Sequence, residues 1–460
     1  MNSEPIETIE AMETTETTET VDAIEKCRIL GVLDDGINSL SQSALAHLRS
    51  AQLVIGGART LQLLAVQISP DAVQRDLTGA LSQVPEWIRA AQATGQRVVV
   101  LATGDPLCHG IAAYLASRLC IEAIEVLPNV STLQLACARL GLPWQEMKFS
   151  SVHSRDAGDW VAGAEPGHGL YALLRDIRQH DRLAVLTSPD NTPDRIARML
   201  ATEGLADDFE MAVAERLCQS DERIVSGISI HAAAHMPFAD PNVVLLWRSK
   251  LRAPQVLFGL SDASFEQRHP DKGLITKNEV RAVSLARMQL RADSVVWDIG
   301  AGSGSVGLEA ARLCRQGHVY AIEKNADDSA IVGRNRQAMG ISNHTLVHGK
   351  APEGLAAWAD PDAVFIGGSG GELAELIALI LKRLKPGGWL VMNFVTIENL
   401  GTAVETLKTL GASWDVLQLQ ASRSKPILHM NRMAAENPVW LVCAQKVMVQ
   451  KAANEEKGDD

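Results

Sequence analysis

The sequence predicts an α/β protein whose sheets are covered by helices on both faces. Short β-branched runs alternate with longer amphipathic segments, and these runs are continuously apolar, as strands buried on both faces are. The composition is 46% hydrophobic and 21% charged, and 460 residues suffice for two or three domains. A polar, turn-prone segment near residues 249–258 separates two strand–helix series. The chain is therefore expected to hold two α/β domains.

Four parts are predicted along the chain. Residues 1–24 are rich in Thr and Glu, and such a segment cannot bury enough apolar surface to offset its chain entropy, so we expect a disordered tail. Domains are predicted at 25–250 and 255–448. Residues 449–460 are expected to form a flexible tail.

Charge and composition exclude several classes of protein. The net charge of -12 argues against broad nucleic-acid binding, which needs clustered basic residues. No apolar run reaches the ~18 residues of a membrane span, and the amino terminus does not have the pattern of a signal peptide. The seven cysteines are odd in number and not paired at short spacing, so we expect reduced thiols and no metal site. These features favour a cytoplasmic protein without nucleic-acid or membrane partners.

The strongest motif joins a strand to a helix through a glycine-rich turn. The apolar run Val295–Ile299 is followed by Gly300, Gly302 and Gly304, and the segment Leu308–Cys314 has a helical pattern. Glycines let the backbone turn sharply and approach a ligand closely. The helix amino terminus adds unpaired N–H groups and a positive dipole end. The motif therefore predicts a nucleotide-type cofactor.

Two cofactors compete for this turn. The segment Gly302–Gly307 fits the dinucleotide fingerprint, and Glu323 lies where a ribose-binding acid belongs in either case. Asp298, just before the first glycine, would repel a pyrophosphate but suits the cationic methionine end of S-adenosylmethionine. The residues favour S-adenosylmethionine and leave an NAD(P)-dependent dehydrogenase as the alternative.

The pattern Asp-x-Gly-x-Gly-x-Gly with Glu323 after it resembles the Rossmann-like, seven-stranded class I methyltransferases. That resemblance implies six further strands after Val295–Ile299, the last two forming an antiparallel pair. The candidates are Val319–Glu323, Thr345–His348, Ala363–Ile366, Trp389–Phe394, Ser413–Leu419 and Pro438–Ala444.

Two more segments, Gly273–Arg281 and Ile366–Gly371, narrow the resemblance to the decarboxylating precorrin methyltransferases of cobalamin biosynthesis, over about residues 258–420. The cofactor contacts that it implies are Thr276, Asp298, Gly300, Gly302, Gly304, Glu323 and Ala351. The substrate contacts that it implies are Gly368, Ser369 and Gly370. One position departs from the family pattern: Lys350 stands where an acid is expected, and a lysine cannot accept a hydrogen bond from an adenine amino group.

The amino-terminal half carries weaker motifs in a characteristic order. They are Gly104-Asp-Pro-Leu107, Pro128–Ser131, Ser151–Arg155, Leu186–Pro189 and Glu215–Leu217. Their order resembles the tetrapyrrole (corrin/porphyrin) methylases, specifically the precorrin carbon-5 branch. This family folds as two α/β subdomains with S-adenosylmethionine in the cleft between them. The contacts that it implies are Gly104, Asp105, Pro106, Ser131 and Thr132, and Leu33 departs from the family by replacing a glycine.

Together the resemblances imply a fused methyltransferase. It would methylate carbons 5 and 15 of a precorrin and remove carbon dioxide from a ring acetate, with one S-adenosylmethionine in each domain and no metal. Local cations must bind the carboxylates of the substrate, and the predicted ones are Arg139, Arg155 and Arg281. We assign no catalytic acid or base. A non-catalytic tetrapyrrole-binding protein is the other alternative, and a homo-oligomer is expected.

Overall fold

The computed structural model describes residues 25–153, 158–252, 256–268 and 275–447. They pack into two compact units. The first comprises the described residues up to Leu135 together with Leu217–Asp221. The second comprises Ala136–Arg216 and the described residues from Glu222 onward.

The first unit is a five-stranded parallel sheet with helices. Its strands are β1 (Cys27–Val32), β2 (Leu53–Gly56), β3 (Val73–Asp76), β4 (Val98–Thr103) and β5 (Ile124–Leu127). Its helices are α1 (Gln42–Ser50), α2 (Ala58–Leu63), α3 (Val84–Gln92) and α4 (Ile111–Arg118). The strand order is β3-β2-β4-β1-β5, and every neighbouring pair is parallel. The carboxyl ends of β4, β1 and β5 therefore meet at one edge.

The second unit begins with a mixed sheet. Its strands are β6 (Lys148–Ser151), β7 (Arg182–Leu186), β8 (Phe209–Glu215), β9 (Arg223–Ser229) and β10 (Asn242–Arg248). The helices of this part of the chain are α5 (Thr132–Arg139), which starts in the first unit, α6 (Tyr171–Gln179), α7 (Pro193–Thr202) and α8 (Ile230–Ala233). The order is β6-β7-β10-β8-β9, with only β6 and β7 parallel. The predicted pair of α/β subdomains thus corresponds to two separate sheets.

The same unit contains the predicted seven-stranded sheet. Its strands are β11 (Val295–Ile299), β12 (His318–Glu323), β13 (His344–His348), β14 (Ala363–Ile366), β15 (Trp389–Phe394), β16 (Ser413–Leu419) and β19 (Val439–Gln445). Its helices are α9 (Asn278–Arg287), α10 (Ser305–Leu313), α11 (Ala326–Ala338), α12 (Leu373–Arg383) and α13 (Ile397–Thr409). The order is β13-β12-β11-β14-β15-β19-β16. The pairs from β13 to β15 are parallel, and β19 runs in the opposite direction, antiparallel to both β15 and β16. The predicted closing antiparallel pair is confirmed.

A two-stranded hairpin was not predicted. Strands β17 (Ser422–Ile427) and β18 (Met430–Ala435) pair with each other between β16 and β19. Their residues are mostly exposed, so the segment does not have the apolar alternation by which a half-buried strand is recognised.

Burial explains why the strands of the seven-stranded sheet could be predicted. Alternate side chains of a strand point to opposite faces, and here both faces are covered. On β11, Trp297 and Ile299 pack into one core, while Val296 packs into the core on the other face. All three are nearly inaccessible to solvent. A strand of this kind is continuously apolar, which is the pattern the sequence displays.

The compact units differ from the predicted domains, because residues 136–216 pack with the carboxy-terminal half. The hydroxyl of Tyr171 on α6 lies 2.7 Å from Nδ1 of His318 on β12. The hydroxyl of Thr345 on β13 donates to the carbonyl of Gly163 at 2.8 Å. These contacts join the two sheets of the second unit. The predicted domains, 25–250 and 255–448, were defined by the reaction assigned to each part of the chain. These limits stay a prediction.

Candidate functional site

The glycine-rich turn lies between β11 and α10. Gly300, Gly302 and Gly304 have φ angles of +72°, +58° and +78°, in the left-handed region that residues with a Cβ rarely adopt. Helix α10 begins directly after Gly304, three residues before the predicted start. The turn therefore brings the helix amino terminus close to the end of the strand.

Asp298 is the buried acid of this turn. It is 1% exposed, and its Oδ2 accepts the N–H of Gly307 at 3.0 Å. Its Oδ1 has no hydrogen-bond partner among the described residues. Burial raises the pKa of Asp298 to about 7; the N–H of Gly307 opposes this, and the nearby charge of Glu323 adds to it. One buried carboxylate oxygen is thus left for a donor or a cation that the protein does not supply.

Gly307 makes this arrangement possible. A Cβ on Gly307 would lie 2.5 Å from Oδ2 of Asp298, well inside van der Waals contact. The helix can approach the carboxylate only because this residue is glycine. In the sequence, Gly307 is the last glycine of the dinucleotide fingerprint Gly302–Gly307. That fingerprint predicts a pyrophosphate contact and does not indicate that Gly307 makes room for Asp298.

Glu323 ends the neighbouring strand β12. Its Oε2 accepts the N–H of Gly302 at 2.8 Å, and its Oε1 accepts the N–H of Asn325 at 2.8 Å. The side chain is 7% exposed, so the backbone holds the carboxylate in one place. Each carboxylate oxygen keeps a further lone pair, which suits the paired hydroxyls of a ribose.

A cavity opens where the carboxyl ends of β11, β12 and β14 meet. Its lining comprises Ile299, Gly300, Ile322, Glu323, Lys324, Gly349, Lys350, Ala351, Gly368, Ser369 and Gly370. Six predicted contacts are therefore brought together: Gly300, Glu323, Ala351, Gly368, Ser369 and Gly370. The lining residues Ile299, Ile322, Lys324 and Gly349 were not predicted as contacts. Ile322 and Lys324 lie outside the motifs, whereas Ile299 and Gly349 lie inside motifs of which only other residues were assigned a role. Four other predicted contacts, Thr276, Asp298, Gly302 and Gly304, do not line the cavity. The last three belong to the glycine-rich turn beside it, whereas the carbonyl of Thr276 accepts a hydrogen bond from Arg281 at 2.6 Å.

Two glycines press the turn against the loop after β14. A Cβ on Gly300 would lie 2.5 Å from the carbonyl oxygen of Gly368. Ser369 and Gly370 continue this loop along the cavity. The residues predicted for cofactor and those predicted for substrate therefore share one wall.

Lys350, the departure from the family pattern, also lines the cavity. Its Nζ lies 2.6 Å from Oε1 of Glu372, which directly precedes α12. The ammonium is thus paired with a carboxylate from the neighbouring loop.

Arg281 has a different place from the predicted one. Its side chain is 0% exposed and forms ion pairs with Glu309 at 3.0 Å and Asp262 at 3.1 Å. It also donates to the carbonyls of Leu260 and Thr276. A guanidinium used in this way ties α9 to α10 in the core, and we do not propose Arg281 as a substrate contact.

The structure does not test the other two predicted substrate contacts, Arg139 and Arg155. Arg139 forms an ion pair with Glu222 and is partly exposed, which leaves a substrate role as a prediction. Arg155 lies outside the described residues.

The first unit brings its predicted residues to the sheet edge formed by β1, β4 and β5. A Cβ on Gly31 would lie 2.4 Å from the carbonyl oxygen of Gly104 and 2.7 Å from Cβ of Asn129. Gly104 has a φ of +68°, and a Cβ there would lie 3.2 Å from the N atom of Thr132. Strand β1 is thus in close contact with the segments that follow β4 and β5. Asn129 lies inside a predicted motif and Gly31 in the opening strand, but neither was predicted as a cofactor contact.

Local hydrogen bonds fix these loops. Ser131 and Gln134 form a capping box at the start of α5, with Gln134 N to Ser131 Oγ at 3.1 Å and Ser131 N to Gln134 Oε1 at 2.9 Å. Asp105 Oδ1 accepts the N–H of Leu107 at 2.9 Å, and Pro106 is buried. Ser131 therefore serves the helix start, while the position of Thr132 beside Gly104 fits the predicted cofactor edge.

Leu33, which replaces a family glycine, is a residue of the first unit and is buried, with 5% of its surface exposed.

Among the residues that the structure describes, no helix has the length and apolar character that crossing a membrane requires.

Comparison with known proteins gives two family matches. The family described as Tetrapyrrole (Corrin/Porphyrin) Methylases matches residues 26–228. The family described as Precorrin methyltransferase domain matches residues 267–446.

Individual relatives match either the whole chain or one part of it. A Sinorhizobium protein named precorrin-6Y C(5,15)-methyltransferase (decarboxylating) is 32% identical over 415 residues, which is 89% of this chain and 94% of that protein. The Salmonella typhimurium protein named cobalt-precorrin-6B C(15)-methyltransferase (decarboxylating) is 40% identical over 173 residues, which is 37% of this chain and 89% of that protein. A crystal structure of precorrin-6y C5,15-methyltransferase from Geobacter metallireducens is 41% identical and covers 42% of this chain and all of its own, with a TM-score of 0.40.

Proposed function

Because the chain belongs to the family of the precorrin-6Y C(5,15)-methyltransferases (decarboxylating), we propose that it methylates carbons 5 and 15 of a precorrin and decarboxylates a ring acetate. Members of this family are S-adenosylmethionine-dependent enzymes of cobalamin biosynthesis. The proposal divides the chemistry between the chain's two parts. Residues 25–250 would methylate carbon 5, and residues 255–448 would methylate carbon 15 and remove carbon dioxide.

The observation that carries the proposal is the unpaired Oδ1 of buried Asp298. S-adenosylmethionine supplies an activated methyl group on a cationic sulfur, and its methionine end also bears an ammonium. A buried carboxylate attracts such a cation strongly, because the surrounding dielectric is low. A pyrophosphate in the same place would bring like charge towards Asp298, which disfavours the dehydrogenase alternative.

The cavity beside the glycine-rich turn suits the nucleoside. Glu323 is held by two backbone N–H groups with lone pairs to spare, so it would accept hydrogen bonds from the ribose. Ala351 and the neighbouring Gly349 offer a small, largely apolar wall for the base. Gly368, Ser369 and Gly370 would face the macrocycle beside the methyl group. The protein's task is then to hold the reacting atoms in line, and such positioning is worth ~7–11 kcal/mol.

A second cofactor would bind at the sheet edge of the first unit. Gly31 and Gly104 allow β1 and the segments that follow β4 and β5 to approach one another closely, and the backbone N atom of Thr132 at the start of α5 lies beside Gly104. Donors at a helix start suit the carboxylate of the cofactor's methionine end. We therefore retain Gly104, Asp105, Pro106, Ser131 and Thr132 as the proposed cofactor contacts of this part.

Two variants of the full chain test the division of labour. Asp298→Asn keeps the shape of the side chain but removes its charge, and Gly104→Ala puts a methyl group near Thr132 on a strained backbone. Each variant is incubated with S-adenosylmethionine and the precorrin, and the product is weighed by mass spectrometry. We expect wild type to add two methyl groups and lose carbon dioxide. Asp298→Asn should add one methyl group and retain the carboxyl, while Gly104→Ala should fail at carbon 5.

The matched control is Arg182→Glu, which breaks an exposed ion pair with Glu146, two residues that belong to neither proposed site. It should give the wild-type product. Loss of both methylations in Asp298→Asn, with normal thermal unfolding, would overturn the division between the two parts. Binding of NAD(H) without S-adenosylmethionine binding would overturn the enzyme class.

Three further features belong to the proposal. We propose a metal-free precorrin as substrate, because relatives that match most of the chain are named for a precorrin and not for a cobalt-precorrin. We also propose a homo-oligomer and a cytoplasmic location. Anomalous scattering or elemental analysis of the bound macrocycle, and light scattering of the purified chain, test the first two.

A further inference from the structure

The pair Lys350–Glu372 joins two loops at the cavity. Lys350 follows β13, and Glu372 ends the loop that follows β14. Their Nζ–Oε1 distance is 2.6 Å, and both side chains are a little over 40% exposed. The pair therefore connects neighbouring loops that no strand pairing holds together at this point.

The loop that Glu372 closes is rich in glycine. We call residues Gly367–Gly371 the glycine loop. Gly370 and Gly371 have φ angles of +65° and +106°, and a glycine backbone has more freedom to lose than any other. The loop is fixed at its start, where Gly368 packs against Gly300. Its far end leads into α12, whose first residue Leu373 is buried, so the part that still needs an attachment is the middle of the loop, from Ser369 to Gly371.

The aliphatic part of Lys350 supplies such an attachment as well. A Cβ on Gly370 would lie 3.2 Å from Cε of Lys350, so the lysine stem lies along the loop. The ammonium beyond it then reaches Glu372. The side chain of Lys350 thus contacts Gly370 inside the glycine loop and Glu372 directly after it.

Charge adds a second requirement. Lys350 lines a cavity that, on the proposed function, receives a cationic cofactor beside Asp298. An unpaired ammonium in that lining would repel the cofactor, and pairing with Glu372 neutralises it. Position and charge therefore both depend on the same ion pair.

We propose that the Lys350–Glu372 pair is a clasp that holds the glycine loop as a wall of the S-adenosylmethionine cavity. Lys350 is then a positioning residue, which acts on the cofactor through the loop and does not bind it directly. This inference rests on the proposed function of the cavity. It also accounts for a lysine at a position where the family pattern has an acid.

The test compares Lys350→Glu, Glu372→Lys and the double variant in the full chain. Each single variant places two like charges together, and the double variant restores an opposite pair. S-adenosylmethionine affinity is measured by calorimetry at low and high salt, and hydrogen exchange is followed in the peptide that spans residues 367–372. An exposed ion pair is worth up to about a factor of five in an equilibrium constant, so loss of the clasp should weaken binding by up to about fivefold in each single variant. Glu372→Lys, which also adds a second ammonium near the cationic cofactor, should bind more weakly than Lys350→Glu. The glycine loop should exchange faster in both.

Restoration of affinity and of slow exchange in the double variant is the result expected. A double variant that binds as weakly as Lys350→Glu would overturn the clasp in favour of direct contact by Lys350. Wild-type affinity in both single variants would also overturn it. Arg182→Glu, which breaks a comparable exposed pair elsewhere, should leave affinity unchanged. Asp298→Asn, measured in parallel, distinguishes failure of the clasp from failure of the cofactor site, because only the latter would leave Asp298→Asn with full affinity.

Discussion

Tyr171 and His318 are joined through a hydrogen bond of 2.7 Å between the phenol oxygen and Nδ1, although 147 residues separate them in the chain. Nε2 of His318 lies 3.0 Å from Oγ1 of Thr345, which itself donates to Gly163. The tautomer that satisfies all of these groups has a proton on Nε2 and none on Nδ1. The contact therefore requires a neutral histidine.

Acid should destabilise this contact. Burial lowers the pKa of His318 to about 4 and that of His344 to about 3, against 6.5 for an exposed histidine. Between the folded pKa of each histidine and 6.5, the unfolded chain binds more protons than the folded chain. The free energy of unfolding should therefore be highest above pH 6.5 and fall as the pH drops towards 4. Each histidine should contribute a slope of about 1.4 kcal/mol per pH unit in this window.

Urea unfolding of the second unit at several pH values measures this slope. The neighbouring groups that affect the two histidines are Tyr171, Tyr320 and Arg336, none of which changes charge between pH 4 and 6.5. His318→Asn should reduce the slope by about half. A slope that is unchanged in His318→Asn would contradict the assignment.

Asp298 predicts a second pH dependence, this time of binding. Its pKa is raised to about 7, so near pH 6 most of the free protein carries a neutral Asp298. A cationic cofactor favours the ionised form, and binding should therefore release a proton. Affinity for S-adenosylmethionine should fall as the pH drops below 7, approaching about tenfold per pH unit.

Calorimetry in two buffers of different ionisation enthalpy counts this proton directly. Asp298→Asn should bind S-adenosylmethionine weakly, with an affinity that does not change between about pH 5.5 and 7.5. Ordinary carboxyl groups have a pKa of about 4 and therefore do not titrate in this range. Proton release that persists in Asp298→Asn would assign the titration to another group.

Features that are encoded in consecutive residues could be predicted from the sequence, whereas contacts between distant residues could not. Strand β11 and its glycine turn are encoded within a dozen consecutive residues, and the position of Asp298 before the first glycine decided between the two cofactors. The role of Arg281 could not be predicted, because its partner Glu309 lies 28 residues away and a lone arginine has no pattern of its own. The Tyr171–His318 contact is of the same kind. The hairpin of β17 and β18 was missed because exposed strands do not have a buried face to mark them.

Gly307 provides a matched comparison of two helical glycines. Gly307→Ala would place a methyl group 2.5 Å from Oδ2 of Asp298, whereas nothing lies within 4 Å of a Cβ on Gly333 in α11. We expect Gly307→Ala to lose at least about tenfold in cofactor affinity, a change of about 1.4 kcal/mol. Gly333→Ala should keep full affinity and gain up to about 1 kcal/mol of stability, because alanine favours a helix. Equal affinities in the two variants would contradict the claim that cofactor binding depends on the position of the Asp298 carboxylate.

Arg281→Met tests the role that the structure assigns to Arg281. Its guanidinium and the carboxylate of Glu309 are both 0% exposed, so removing the arginine leaves a buried charge without its partner. Such a loss costs about 3–5 kcal/mol, whereas an exposed pair is worth at most about 1 kcal/mol. Urea unfolding should therefore separate Arg281→Met from the surface control Arg182→Met by several kcal/mol. The double variant Arg281→Met with Glu309→Gln should recover part of the loss, because the amide carries no charge while its oxygen can still accept one of the backbone N–H groups of Gly259 and Leu260 that Glu309 now accepts. If Arg281→Met were instead as stable as wild type but raised the KM for the macrocycle, the arginine would be a substrate contact after all.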